Sequence, residues 1–236
     1  RPVRAHNSAT MTSAKFAAAG SQRWLQIAVA KNPDLLRSAL LDCGAVSAHE
    51  QIEWKAPLAI DGFAEPRDGK ALRKAGISEL PVRSLSDFWP PRGPVWDAVA
   101  RVGSSGSIFV EAKAHVTEAA SPPSKALPAS LSKIEAALME ARSYYAPDSS
   151  ADWHRVFYQY ANRLAHHYLL TKVNGKDSRL VFLYFLNAVD VRGPASVSEW
   201  EAATQCIHTA LGLPAQLREF SIYHAYVDTQ VLVNAL

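Results

Sequence analysis

The stretch GSIFVEAKAH, residues 106–115, decides the fold of this chain and raises the question of its function. Apolar residues dominate it, as is typical of a buried β-strand, yet a glutamate and a lysine stand two residues apart in its middle. Side chains alternate across a strand, so Phe109, Glu111 and Lys113 share one face while Ala112 lies on the other. The strand is therefore predicted to carry two neighbouring charges on a face that also bears a large aromatic ring.

The preceding segment VWDAVARV, residues 95–102, and the turn GSSGS predict a second strand that pairs antiparallel with the first. Symmetric pairing about this turn places Asp97 opposite Lys113. Asp97 and Glu111 then lie on a diagonal of roughly 7–8 Å between backbone positions, which lets both carboxylates reach one ion. The prediction depends on the register, because a shift by an odd number of residues would send Asp97 to the opposite face.

Two carboxylates that converge in a partly apolar setting repel each other unless a cation lies between them, and hard oxygen ligands favour Mg²⁺ or Mn²⁺. A metal held in this way binds phosphate oxygens and lowers the pKa of a bound water. Lys113 adds a positive charge that stabilises the transition state. The grouping is suited to phosphodiester hydrolysis. The alternative is a solvated edge strand, on which Glu111 and Lys113 form a weak ion pair with Asp97.

The composition of the whole chain indicates a globular protein. Its 236 residues are 48% hydrophobic, which is sufficient for a packed core, and a net charge of +3 is too small to indicate nucleic-acid binding by itself. Its two cysteines lack partners at metal-ligand spacing, which argues against a zinc site and favours a reducing compartment. No apolar run approaches the roughly 20 residues of a membrane span, and no signal-peptide pattern is seen. We therefore expect a cytoplasmic protein without membrane contact.

The order of elements predicts the fold class. Residues 1–20 are small and polar without a period and are predicted to be a flexible tail, with Met11 as an alternative start; residues 21–236 are predicted to form a single domain. The domain reads as helices, a strand, the antiparallel hairpin, a long helix over residues 152–175, a buried strand, and a final helix and strand. This order predicts an α/β fold in which helices flank a mixed central sheet.

Asp97, a turn, and then Glu111-Ala112-Lys113 on the next strand resemble the motif of the PD-(D/E)XK nuclease superfamily. The restriction-endonuclease-like core of that superfamily runs helix, three strands, helix, strand, with a mixed sheet. The predicted elements between residues 33 and 189 follow the same αβββαβ order, with an additional helix and strand, so the resemblance covers most of the chain. It implies that Asp97 and Glu111 are metal ligands, that the backbone carbonyl of Ala112 is a further ligand, and that Lys113 positions the attacking water.

The chain departs from the motif at one position, since Trp96 stands before Asp97 where the name of the motif has proline. Members of the superfamily often add an acidic ligand from the first core helix or just after it, for which Glu50 and Glu53 are the candidates. They also add a polar catalytic residue from the helix after the E-x-K strand, for which Gln159 is the candidate. Asn162 and Arg163 follow about one turn later, and the alternative for all three is the polar face of an amphipathic helix.

The resemblance implies a Mg²⁺- or Mn²⁺-dependent deoxyribonuclease, with RNA left open as a substrate and a homodimer as the oligomeric state common to such nucleases. Phosphate contacts are predicted in EPRDGKALRKAG, residues 65–76, at four basic residues: Arg67, Lys70, Arg73 and Lys74. A solvated face is the alternative for this run. Two alternatives to the enzyme stay open: an inactive domain of the same fold that binds nucleic acid or protein, and an unrelated α/β fold in which the motif arises by chance.

Overall fold

A computed structural model describes residues 14–234 as an α/β fold with helices on both faces of a five-stranded mixed sheet. The predicted fold class is confirmed at this level. Residues 1–13 of the predicted tail, including Met11, lie outside the described residues. Phe16 packs against Phe63 with 5.1 Å between ring centroids, and the first helix begins at Gly20, close to the predicted domain boundary.

The strands cross the sheet in chain order: β1 Ile52–Ala56, β2 Ala98–Val102, β3 Gly106–Lys113, β4 Ser178–Leu186 and β5 Ile222–Asp228. The first three form an antiparallel meander, whereas β4 runs parallel to β3 and β5 runs parallel to β4. Parallel neighbours need long crossover connections, and helices supply them between β3 and β4 and between β4 and β5. Strands β1 and β5 are the two edges of the sheet.

Nine helices occur within residues 14–234: α1 Gly20–Lys31, α2 Pro33–Asp42, α3 Asp68–Lys74, α4 Leu85–Phe88, α5 Val116–Ala119, α6 Pro128–Tyr145, α7 Tyr158–Tyr168, α8 Val197–Leu211 and α9 Thr229–Val233. Short 3₁₀ turns cover Ala59–Asp61 and Arg218–Phe220, and a π-helical turn at Leu169–Val173 extends α7. Local sequence explains several starts, such as the capping box of Ser196 and Glu199 at α8. In the part of the chain that the structure describes, no helix has the length and hydropathy needed to cross a bilayer.

The sheet separates two apolar cores. Helices α1 and α2 pack on one face against small and aliphatic strand residues, among them Ala112 and Leu183. Helices α6, α7 and α8 pack on the other face against larger rings, among them Phe109 and Phe182. Residues alternate between the two cores along β3, as the period of two in its sequence predicts.

The long helix begins later than the sequence predicts. Asp152 does not open it, because its carboxylate accepts the N–H of His154 at 3.2 Å and holds a local turn instead. Phe157 then adopts a left-handed conformation with φ of 46°, and α7 starts at Tyr158. The predicted start at residue 152 is therefore wrong, and Gln159 lies in the first turn of α7.

A candidate active site at the end of the hairpin

Two carboxylates come together at the open end of the hairpin. Val99 pairs with Phe109 and Ala98 with Val110, so the ladder is shifted by two residues from the register of a symmetric turn, and the prediction that Asp97 lies opposite Lys113 is wrong. The ladder ends at Ala98, and the N–H of Asp97 donates to the carbonyl of Val110 at 3.2 Å, one position out of register. Trp96 and Val99 both pack in the core on the Phe109 face although they are three residues apart, so the alternation of side chains is broken at Asp97 as in a β-bulge.

Gly106 explains the tighter turn. It pairs with Val102 and so belongs to the strand instead of the turn. A Cβ at this position would lie 2.9 Å from the carbonyl oxygen of Val102 and 2.9 Å from the carboxylate of Asp177. Only glycine fits so close to a neighbouring backbone, which allows the ladder to begin two residues earlier.

Glu111 is buried, with 2% of its surface exposed, and both of its oxygens are paired. Oε2 accepts from Nε of Arg163 at 2.6 Å and lies 2.5 Å from Nη2 of the same guanidinium, while Oε1 accepts from Nζ of Lys113. Burial alone would raise the pKa of Glu111, but the positive charges of Arg163 and Lys113 hold that pKa below its usual value. The carboxylate is therefore ionised and doubly neutralised.

Asp97 is held in a different state. Its Oδ2 accepts the N–H of Ala112 at 2.7 Å. Since the N–H and C=O of one strand residue point to the same side, the carbonyl of Ala112 also points toward Asp97. Burial, followed by the negative charge of Glu111, raises the pKa of Asp97 to about 8. At neutral pH the two opposed carboxyl groups thus share one negative charge, which limits their repulsion.

Lys113 connects the strand to α7. Its Nζ donates to Oε1 of Gln159 at 3.2 Å as well as to Glu111. Burial would lower the pKa of Lys113, but Glu111 and Asp97 outweigh that effect and raise it, so the ammonium stays charged. Gln159 is fixed in turn by its backbone N–H, which donates to Oγ of Ser121 at 2.8 Å. The structure thus brings together four predicted site residues, and a narrow cavity lies between Glu111, Lys113 and Gln159.

Arg163 is buried and paired, whereas the sequence analysis gave the polar face of an amphipathic helix as the alternative for it. It is 4% exposed, its guanidinium lies 5.0 Å from the ring centre of Trp96, and Nη2 donates to the carbonyl of Val95 at 2.8 Å. The signal in the sequence was its spacing of four from Gln159, which places both side chains on one helix face. That face turns inward toward Glu111.

Glu65 is an acidic residue close to the candidate site that the sequence analysis missed, and its Oε1 accepts from Nε2 of Gln22 at 2.9 Å. The carbonyl of Pro66 accepts the N–H of Trp96 at 2.9 Å, and Arg67 pairs with Val95 in an isolated antiparallel bridge. This alignment carries Glu65 alongside Asp97. Burial raises the pKa of Glu65, and the charge of Glu111 adds to that rise. The one available signal was the following proline, which favours an extended conformation at Glu65.

Neither of the two predicted additional ligands lies near Asp97. Glu50 pairs with Arg179 at 2.5 Å on the opposite face of the sheet, and that bond lowers the pKa of Glu50 to about 2. Glu53 is exposed, pairs with Lys55 and lies opposite Arg101. Arg101 is four residues from Asp97 along β2, which corresponds to roughly 13 Å. The structure therefore separates Glu50 and Glu53 from the other predicted ligands.

The predicted basic segment lies close to the site. Arg67, Lys70 and Arg73 are exposed, and Arg67 pairs with Val95, two residues from Asp97. Lys74 differs, because its Nζ donates to Asp61 at 2.6 Å and to the carbonyl of Lys55 at 2.7 Å. Three of the four predicted basic residues are thus presented to solvent, and the bridge places Arg67 beside the hairpin end, whereas the carbonyl of Arg73 accepts from Nη2 of Arg101 farther along β2.

The donor set suits a hard cation but is small. Within residues 14–234, no group of three or more His, Cys, Asp or Glu side chains is arranged to hold a metal ion. The site offers Asp97, Glu111 and the carbonyl of Ala112. Mg²⁺ is commonly held by one or two carboxylates together with water and substrate phosphates. These residues fit such an ion provided that Lys113 releases Oε1 of Glu111, since Arg163 holds the other oxygen.

Comparisons of the chain with models of protein families, with curated proteins and with solved structures find no match. Any assignment of function therefore depends on the residues at the hairpin end. Asp97, Glu111 and Lys113 are ionisable groups with shifted pKa values, and such groups are frequent at functional sites, which makes this cluster the candidate site.

Proposed function

We propose that this chain is a metal-dependent nuclease of the restriction-endonuclease-like fold, which hydrolyses phosphodiester bonds of DNA. One observation carries the proposal: the buried carboxyl of Asp97 bonds the N–H of Ala112, next to Glu111 on β3, and Lys113 binds both Glu111 and Gln159. Burying these charges contributes little to folding, because the desolvation of each ion offsets most of the attraction between them. Their convergence on one sheet face is better explained by chemistry than by stability.

The topology supports the same proposal. A helix, an antiparallel meander of three strands, further helices and a parallel fourth strand follow one another along the chain, in the order expected for the nuclease core. Glu111 lies near the end of β3, and Asp97 lies in the bend just before β2, where its bond to the N–H of Ala112 fixes its carboxyl against β3. Rigid elements of this kind hold a reactive geometry more closely than loops do.

In the proposed site, Asp97, Glu111 and the carbonyl of Ala112 would hold Mg²⁺ or Mn²⁺. The bound ion would supply Lewis acidity and lower the pKa of a coordinated water. Asp97 must first lose its proton. Burial and the charge of Glu111 raise the pKa of Asp97 to about 8, so the carboxyl keeps this proton at neutral pH. Lys113 keeps its charge and, held by Gln159, orients a water and stabilises negative charge that develops on the phosphate.

Three exposed cations give the proposed substrate a path to the site. Arg67 lies beside the hairpin end, Lys70 and Arg73 follow on α3, and all three would contact the phosphate backbone. Such contacts carry no sequence information. They weaken as the salt concentration rises, because less free energy is then gained from the release of counterions bound to the DNA. DNA binding is therefore expected to fall steeply with ionic strength, and further when these three residues are replaced.

The decisive experiment incubates the purified chain with supercoiled, linear and single-stranded DNA in Mg²⁺ or Mn²⁺. We expect cleavage by the native chain and its loss in Asp97→Ala and in Lys113→Ala, by a factor of about 10² or more. Glu53→Ala serves as the matched control. It removes an exposed carboxylate on β1, away from Asp97 and Lys113, and should leave cleavage unchanged. Full activity in Asp97→Ala or Lys113→Ala would exclude this active site.

A second function, a non-catalytic module that binds nucleic acid or protein, is favoured by one feature of the site. Arg163 and Lys113 together neutralise Glu111, which leaves less need for a metal ion. Calorimetry with Mn²⁺ separates the two functions. An affinity that Asp97→Ala abolishes supports the nuclease, whereas absence of Mn²⁺ binding and of cleavage, with salt-dependent DNA binding retained, supports the module.

A further inference from the structure

The outer edge of β5 presents backbone groups that the sheet does not use. The N–H of Leu180 donates to the carbonyl of Ser221, and in a parallel ladder this fixes which β5 residues face β4. Residues 221, 223, 225 and 227 face β4, so the N–H and C=O groups of the residues between them point outward. The carbonyl of Leu217 accepts the N–H of Ile222 at 3.3 Å. Among residues 14–234, no hydrogen-bond partner is found for the outward groups of His224 and Tyr226.

The two edges of the sheet differ in their protection. Strand β1 has five residues, an irregularity between Trp54 and Ala56, and the exposed pair of Glu53 and Lys55. A short strand, a bulge and charged side chains are the usual means by which an edge avoids pairing with another chain. Strand β5 has seven residues in a continuous register and carries aromatic side chains. The β5 edge therefore lacks the features that prevent the addition of a strand.

A groove runs along this edge. It has a volume of about 820 Å³, and β5 lies along it between residues of α2 and α8. Three carboxylates line it, those of Asp42, Glu201 and Asp228, against one guanidinium, that of Arg218. The excess of negative charge favours a cationic occupant.

We propose that the β5 edge binds an extended, lysine- or arginine-rich segment of a partner protein, which adds to the sheet as a sixth strand. The backbone groups of His224 and Tyr226 supply the hydrogen bonds, and Asp42 and Glu201 at the sides of the groove select basic side chains. Recognition of this kind takes its affinity from main-chain bonds and its specificity from alternate side chains. The groove is separated by β4 from the strand that carries Glu111, so the proposal is independent of the proposed nuclease activity.

The test uses a fluorescent heptapeptide that alternates lysine and valine, titrated with the full chain and followed by fluorescence anisotropy. We expect saturable binding that weakens about tenfold or more when alternate peptide nitrogens are methylated, because methylation removes the donors that pair with β5. A heptapeptide that alternates glutamate and valine should bind more weakly than the lysine peptide.

Two variants of the chain locate the binding. Tyr226→Pro removes one outward N–H at a position where an edge strand tolerates proline, and it should weaken binding about tenfold. Glu201→Lys changes an exposed helix residue without touching the strand and should shift the preference toward the glutamate peptide. Glu53→Lys on the opposite edge is the matched control and should leave binding unchanged. Circular dichroism establishes that each variant is folded.

Three results would overturn the proposal. The first is equal binding of the methylated and unmethylated peptides, and the second is the absence of saturable binding up to a chain concentration of about 1 mM. The third comes from sedimentation: a dimer of the native chain that Tyr226→Pro dissociates would show that a second copy occupies the edge.

Discussion

The two faces of the central sheet are formed by the same strands and both bury apolar side chains, yet one of them also buries an ion pair. On the face covered by α1 and α2, residues such as Ile108, Val110 and Leu183 are buried and aliphatic. On the other face Glu111 is as deeply buried as its neighbours, with Arg163 against it. Burial of apolar surface is enough to explain the first face. On the second face, each buried charge needs a partner of opposite charge. The stability of the fold therefore depends on single residues of that face.

Arg163→Ala is the change for which we expect the largest loss of stability. It would leave Glu111 buried with Lys113 as its one remaining cation, and breaking a buried ion pair by removing one partner costs about 3–5 kcal/mol. The free energy of unfolding from urea denaturation measures this loss. The loss in the free energy of unfolding should be greater than the loss caused by a comparable truncation on the aliphatic face.

A double variant separates lost charge pairing from lost packing of the arginine side chain. With Glu111→Gln already present, the glutamine is neutral, so Arg163→Ala should cost clearly less than it does in the native chain. An equal cost in both backgrounds would show that Arg163 acts through its packing on Trp96 and not through Glu111.

Asp97→Asn should stabilise the fold, by an amount that depends on pH. Asp97 has a pKa of about 8 in the folded chain against an ordinary value of 3.8. The unfolded chain therefore releases this proton at a lower pH than the folded chain. Its contribution to stability is complete below pH 3.8 and is lost as the pH rises to about 8. Asparagine does not ionise and can still accept the N–H of Ala112.

Thermal melts at a series of pH values test this expectation. Asp97→Asn and the native chain should melt at similar temperatures near pH 4, and the variant should melt several degrees higher at pH 8 and above. A difference that stays constant across this range would mean that Asp97 is ionised in the folded chain at neutral pH. Lys113 and Arg163 would then govern its charge instead of burial and Glu111.

The charged face also shows how far a sequence determines its own site. The period of two in β3 is sufficient to place Glu111 and Lys113 on one face, because alternation is a local property of strands. The register is not local: it depends on Gly106, whose neighbour Asp177 is 71 residues distant in the chain. The predicted partner of Asp97 was therefore wrong, and the bend that orients Asp97 before β2 has no periodic signal in the sequence.

Glu65 and the predicted acidic ligands illustrate the same limit. The backbone of Glu65 is brought alongside Asp97 by a bridge between Arg67 and Val95, a pairing outside any regular strand for which the sequence has no periodic pattern. Glu50 and Glu53 were selected by their order along the chain, but pairing with Arg179 and Lys55 holds them elsewhere. Contacts between irregular segments depend on the whole fold, and local propensity does not encode them.

On the aliphatic face, Ile108→Val is expected to cost about 0.5–1.5 kcal/mol, the usual effect of removing one buried methylene. Ile108 lies on β3, and its side chain is fully buried against the helices of that face. Unlike the effect of Asp97→Asn, this loss should be the same at pH 5 and pH 8, since no ionisable group is involved. Urea denaturation at both pH values measures it, and a strong pH dependence would show that the two faces are coupled through the strand.

Glu53→Ala should have the smallest effect and defines the outer limit of the charged face. Glu53 shares that face with Glu111 but lies in solvent, where its bond with Lys55 is screened and its carboxylate loses little hydration. The bond lowers the pKa of Glu53, so any stability it contributes is present above the ordinary pKa and disappears on acidification. Denaturation curves of the variant and the native chain should superimpose at pH 7 in moderate salt. A clear loss of stability would mean that the electrostatic network around Glu111 extends along β1, and the paired charges of this face would then have to be treated as one unit.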